Sequence, residues 1–166
     1  MNIIHGFEYT GLSVDFFLWG VLATVTHVVI GWFLVYTFTD YHPKWGAFGG
    51  LFPDFDVPFG FASGYWEWFP FVHRGFVHTP VFMVVCVIVL IALGYKKKVW
   101  LPFSIGFFSH LVIDTFSHGG IMWFWPVDKT FYEFFPVAHD PEVEIIIFIL
   151  VILLLILSPK RDYLNY

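Results

Sequence analysis

The sequence has almost no cysteine and little charge. Its single cysteine, Cys86, stands in an apolar run, which excludes a disulfide framework and a thiolate metal site. Only 13% of the residues are charged, and eight Lys and Arg against thirteen Asp and Glu leave a net charge of −5. No basic patch is therefore available to neutralise a phosphate backbone, and nucleic acid is excluded as a partner. The first 13 residues contain neither Lys nor Arg, so they lack the basic start of a secretory signal peptide and read as an ordered or interfacial arm.

What the chain has is apolar and aromatic surface. Hydrophobic residues make up 58% of it and Phe, Trp and Tyr 23%, with a mean hydropathy of +0.76. A soluble domain cannot bury that much, so the bilayer is the expected solvent. The expected fold is an all-α integral membrane bundle of about four transmembrane helices at roughly 20 residues each. It forms a single membrane domain over residues 1–166: the arm 1–13, spans at 14–38, 78–95, 99–117 and 143–158, a long interfacial or re-entrant connection at 39–77, and an aromatic external loop at 118–141.

Ionisable residues inside the apolar runs stand out, because each costs a few kcal/mol at membrane depth unless it meets a partner, a cation or water. His110 and Asp114 are four apart in a helix-length run and project from one face. A hydrogen bond that merely locks two helices is the alternative for this pair. His27 lies on a stripe with Gly20, Thr24 and Gly31, turned toward neighbours, where it serves packing or a site. Asp54 and Asp56 follow Pro53, and in an extended segment they point the same way and repel unless a cation or an Arg lies between them. A loop-closing Asx-turn or helix end is the rival account. Thr79 and Pro80 make a helix start, with His78 at its mouth; His73, five residues earlier, converges with it only through a turn at Gly75.

Basic residues set the orientation. Lys96, Lys97, Lys98, Lys160 and Arg161 fall on one side of a four-span bundle, against Lys44, Arg74 and Lys129 on the other. Both termini are then cytoplasmic, and the 39–77 connection comes to the outer face beside His110 and Asp114, with His27 somewhat deeper. His and Asp without Cys suit one or two ions of Zn, or Mn as the alternative, and seven candidates exceed one tetrahedral zinc. His5, His42 and His139 are expected outside the cluster, and His118 stands near the end of its helix.

The succession of Thr26–His27, GGLFPDFD, HRGFVHT, GFFSHLVIDTFSHGG and Trp125–Pro126 resembles the membrane-bound metal-dependent hydrolases of the YdjM-like family of bacteria and archaea, over about residues 24 to 127. The resemblance implies metal-binding positions at His27, Asp54, Asp56, His73, His78, His110 and Asp114, with Arg74 in the HRG triplet. The N-terminal arm, the long aromatic loop and His118 depart from the family pattern.

The expected activity is hydrolysis of a phosphoester of a lipid or lipid-linked substrate by metal-activated water. Asp56, Arg74 and His78 are the candidate catalytic residues, with Arg74 as the phosphate fork or, alternatively, as a partner of Asp54 or Asp56. Expected partners are membrane lipids and either a larger membrane complex or a second copy. Three other classes use the same residues: a metal or proton transporter, a haem protein with His27 and His110 as axial ligands, and a non-catalytic assembly protein with a metal-stapled core.

Overall fold

A computed structural model describes residues 14–57, 73–117, 119–134 and 141–157. Five α-helices are present among them: α1 (Val14–Phe38), α2 (Lys44–Leu51), α3 (Pro80–Ala92), α4 (Lys97–Thr115) and α5 (Pro141–Leu157). Two 3₁₀ turns, Phe52–Phe55 and Phe76–His78, follow α2 and precede α3. No strand occurs among the described residues, where the one isolated bridge pairs Ile121 with Tyr132. The all-helical expectation holds.

One described helix, α1, is long and apolar enough over Gly20–Phe38 to cross a membrane. The apolar stretches Pro80–Ala92 and Ile145–Leu154 are shorter, and α4 carries Lys97, Lys98, His110 and Asp114 along its 19 residues. The second apolar run ends earlier than its composition suggests because the backbone turns left-handed at Gly94, with φ of 83°.

The centre is built by α1, α2 and α4, and glycine lets them meet. A Cβ at Gly46 would strike the carbonyl of Gly31, and one at Gly106 would strike the carbonyl of Gly46. One at Gly50 would strike the carbonyl of His27. Three helical backbones therefore touch with no side chain between them. Gly20, by contrast, is exposed with nothing within 4 Å, so only Thr24, His27 and Gly31 of the α1 stripe face the bundle.

Helix α4 buries two rows at four-residue spacing. Phe103, Phe107 and Leu111 form the apolar core with Ile121, and Phe52, Phe82 and Met83 pack against it. Gly106, His110 and Asp114 form the other row, also buried. The first residue of that row sets the backbone distance and the other two use it.

Helix α3 begins as its residues dictate. Thr79 Oγ1 accepts the Phe82 N–H at 3.1 Å, its hydroxyl donates to the Phe76 carbonyl at 2.8 Å, and Pro80 fills the first position. Thr79→Ala should lower stability by about 1–2 kcal/mol, since it removes the cap and strips a buried carbonyl of its donor. Thermal unfolding in micelles measures this; an unchanged midpoint would contradict it.

Segment 119–134 folds back over the end of α4. Trp123 Nε1 donates to Thr115 Oγ1 at 2.8 Å, the Phe134 N–H donates to the Thr115 carbonyl at 2.8 Å, and Trp125 packs on Phe76 with ring centroids 4.8 Å apart.

Candidate metal centre

Four parts of the chain deliver polar groups to one place. Helix α1 brings His27; the 3₁₀ turn after α2 brings Asp54, with Asp56 as its C-cap. The turn before α3 brings His73, Arg74 and His78, and α4 brings His110 and Asp114. His27, His78, His110 and Asp114 are at most 2% exposed, whereas His73 is 32% and Arg74 15% exposed. The group thus has a sealed floor and an open side at the 73–74 turn.

His78 Nε2 lies 3.4 Å from Asp54 Oδ1 and 3.7 Å from Asp114 Oδ2. His110 Nε2 lies 3.6 Å and 3.3 Å from the same two oxygens. His78 Nδ1 faces Asp56 Oδ2 at 3.5 Å, and His73 Nδ1 faces Asp56 Oδ1 at 3.2 Å. His27 Nε2 is 3.4 Å from Asp114 Oδ1, and its ring stacks on that of His110 with centroids 3.7 Å apart. His27 is therefore directly beside His110.

One expectation is corrected by local geometry. Asp54 and Asp56 are not in extended chain: Pro53 at the start of the turn favours helical φ, and both residues sit in tight helical backbone. They come together because His78 stands between them, Nε2 toward Asp54 and Nδ1 toward Asp56. Arg74 Nη2 lies 3.6 Å from Asp114 Oδ1. The residue has φ of 65°, a left-handed backbone unusual for Arg, which turns the chain so that His73 and His78 converge.

Two groups with structural consequence escaped the sequence reading. The Gly50 carbonyl accepts from His110 Nδ1 at 2.7 Å, and Thr24 Oγ1 donates to Asp54 Oδ2 at 2.9 Å. Every residue has a carbonyl, so only the close approach implied by Gly49–Gly50 hints at the first. Thr24 lies on the α1 stripe, whose spacing names no partner for its hydroxyl. His42 stands apart, its Nδ1 accepting the Lys44 N–H at 3.2 Å before α2. His5, His118 and His139 lie outside the described residues.

A carbonyl only accepts, so the bond to Gly50 puts a proton on His110 Nδ1 and turns Nε2 toward two carboxylate oxygens, which it meets as a lone pair across a cation or, on the imidazolium, as an N–H donor. His110 Nε2, His78 Nδ1 and Asp56 Oδ2 are buried without a hydrogen-bond partner among the described residues. Carboxylates gathered in a buried site need positive charge among them, as protons or as a metal ion. Burial by itself raises the Asp54 carboxyl; the charge of a protonated His110 and a hydrogen bond from His78 outweigh it and hold the group well below the usual carboxylate range. Donor atoms of Asp54, Asp56, His73 and His78, and separately of His27, His110 and Asp114, lie within 4.8 Å of one another, close enough to hold a metal ion. The donor set fits a borderline divalent ion.

The profile of the family described as YdjM inner membrane protein matches residues 22–164. The Inner membrane protein YbcI of Escherichia coli (strain K12) is 31% identical over 97 residues, 52% of this chain and 55% of the relative. The match thus spans about half the length of that curated protein. No solved structure matches. Both similarities support a membrane location. With the family match covering most of its length, the chain belongs to the YdjM inner membrane protein family.

Proposed function

We propose that the protein is a membrane-embedded, metal-dependent hydrolase of a phosphoester in a lipid or lipid-linked substrate. The observation that carries the metal is the convergence of His78 Nε2 and His110 Nε2 on the same oxygens of Asp54 and Asp114. A bound Zn²⁺, or Mn²⁺ in its place, supplies polarisation of water and of a phosphoryl oxygen. The chain supplies the rest. Arg74, on the accessible side, presents a planar fork that matches phosphate and faces the substrate's negative charge. Asp56, between His78 and the partly exposed His73, is the group that holds the proton released when water adds to phosphorus.

Lipid access agrees with the surface. Exposed Val84, Val85 and Ile88 on α3 and Ile149, Leu150 and Leu153 on α5 leave flanks that only acyl chains cover well. In this reading α1, α3, α4 and α5 cross the bilayer, the lysines before α4 mark the cytoplasmic face, and the cluster lies in the outer half.

The test is turnover of a panel of lipid phosphate monoesters and diesters by the full chain in nanodiscs, with and without Zn²⁺ or Mn²⁺. Metal-dependent release is expected, and Arg74→Lys should lower kcat/KM at least about tenfold with metal content unchanged, because a point charge cannot replace the fork. The near-complete burial of His27, His78, His110 and Asp114 favours a second reading, a metal that staples the fold without chemistry. Metal-dependent stability with no turnover across the panel would select it.

A further inference from the structure

We infer that the centre takes a single ion bound by Asp54 Oδ1, His78 Nε2, His110 Nε2 and Asp114 Oδ2, its remaining coordination left to water or substrate, with Thr24, the Gly50 carbonyl and Asp56 as positioning groups that turn those atoms toward it. This rests on the metal reading above and narrows its seven candidate ligands to four.

The four atoms form a closed ring. Its edges, from Asp54 to His78, to Asp114, to His110 and back, are 3.4, 3.7, 3.3 and 3.6 Å. A tetrahedral ion with bonds of about 2.0–2.1 Å separates its ligands by about 3.3–3.4 Å. Four of the six separations within the set are therefore already near those of donors that share one ion. It draws on all the delivering segments except α1, which contributes support instead.

At each donor the second atom faces a further group. His110 Nδ1 donates to the Gly50 carbonyl at 2.7 Å, and Asp54 Oδ2 accepts from Thr24 at 2.9 Å. His78 Nδ1 faces Asp56 Oδ2 at 3.5 Å, the arrangement by which a carboxylate holds a ligating imidazole in its tautomer. Asp114 Oδ1 faces His27 at 3.4 Å and the Arg74 guanidinium at 3.6 Å.

Arg74 also argues against a second ion on the His27 side, since Asp114 Oδ1 already faces its positive charge. Charge agrees. Asp54, Asp56 and Asp114 against Arg74 leave two negative charges, which one divalent ion cancels and two ions would reverse. In a low-dielectric interior the neutral assembly is the one that persists.

The experiment loads the purified full chain with Zn²⁺ and, separately, Co²⁺, and reads stoichiometry by elemental analysis, affinity by chelator competition and coordination by the visible Co²⁺ spectrum. One ion per chain with a single visible Co²⁺ spectrum is expected. His27→Gln and His73→Gln should retain one ion and that spectrum. Thr24→Val should weaken affinity about 10- to 100-fold with the spectrum's shape kept, and Thr24→Ser should restore it.

Two ions per chain, or loss of the ion in His73→Gln, would overturn the four-donor assignment. A Thr24→Val protein that binds like the parent would overturn the positioning role. Should Thr24→Val not fold, Asp56→Asn asks the same question at His78, where an unaltered affinity would count against it. A parent protein that takes up no ion would instead defeat the metal reading itself, a distinguishable result.

Discussion

Gly106→Ala should destabilise the protein by about 3 kcal/mol and remove its capacity to hold metal. The sign is set by two opposed effects. Alanine is favoured over glycine inside a helix by about 1 kcal/mol. Here, however, the new methyl falls on the Gly46 carbonyl and close to the Gly50 amide, which are backbone atoms with no rotamer to change. Overpacking of that kind costs typically about 1–3 kcal/mol, and a backbone obstacle belongs at the upper end. Helix α2 must move away from α4, carrying the Gly50 carbonyl off His110 and the Asp54 turn with it. Thermal unfolding and metal content of the same preparation read both effects. Gly20→Ala, where nothing lies within 4 Å, is the control, expected to be neutral or stabilising by up to about 1 kcal/mol. Equal effects at the two positions would show that the α1, α2 and α4 contact does not set the site.

Removal of the ion should have the other large effect. A ligand that binds only the folded state, at a thousand times its dissociation constant, adds about 4 kcal/mol of stability. For a chain of this size that corresponds to a rise in the unfolding midpoint of about 10 °C. Chelation should therefore lower the midpoint by about that much and re-addition of Zn²⁺ restore it, because the metal-free cluster gathers the carboxylates of Asp54, Asp56 and Asp114 around a single described guanidinium, Arg74. In the Asp54→Asn and His110→Gln proteins the midpoint should no longer respond to chelator. A chelator-insensitive parent would mean that the carboxylates are balanced by protons alone.

The parts of this architecture that sequence reveals are those with a short-range cause. Helix α1 spans the first apolar run, and Thr79–Pro80 starts α3 because a hydroxyl cap and a preset φ act within one turn. His110 and Asp114 share a face because four residues make about one helical turn. Helix α2 is different. Its Gly46, Gly49 and Gly50 give it poor intrinsic propensity, so the stretch reads as a broken connection, and only the close backbone approach of α1 and α4 makes it helical. The Asp54 and Asp56 turn was read as extended for a similar reason, since its form depends on being seated against the bundle. Which carboxylate Arg74 meets, and which atom Thr24 engages, depend on long-range placement that no spacing encodes.

The uneven burial of the cluster has a kinetic meaning. His78 and His110 are fully enclosed, and the partly exposed members all belong to the turn that carries His73 and Arg74. Among the described residues, the exposed way to the enclosed donors passes this turn, so the exchange of a bound ion depends on separating Arg74 from Asp114 and His73 from Asp56. Residence time then follows a local opening, and a tightly held ion and a slowly exchanging one become different properties.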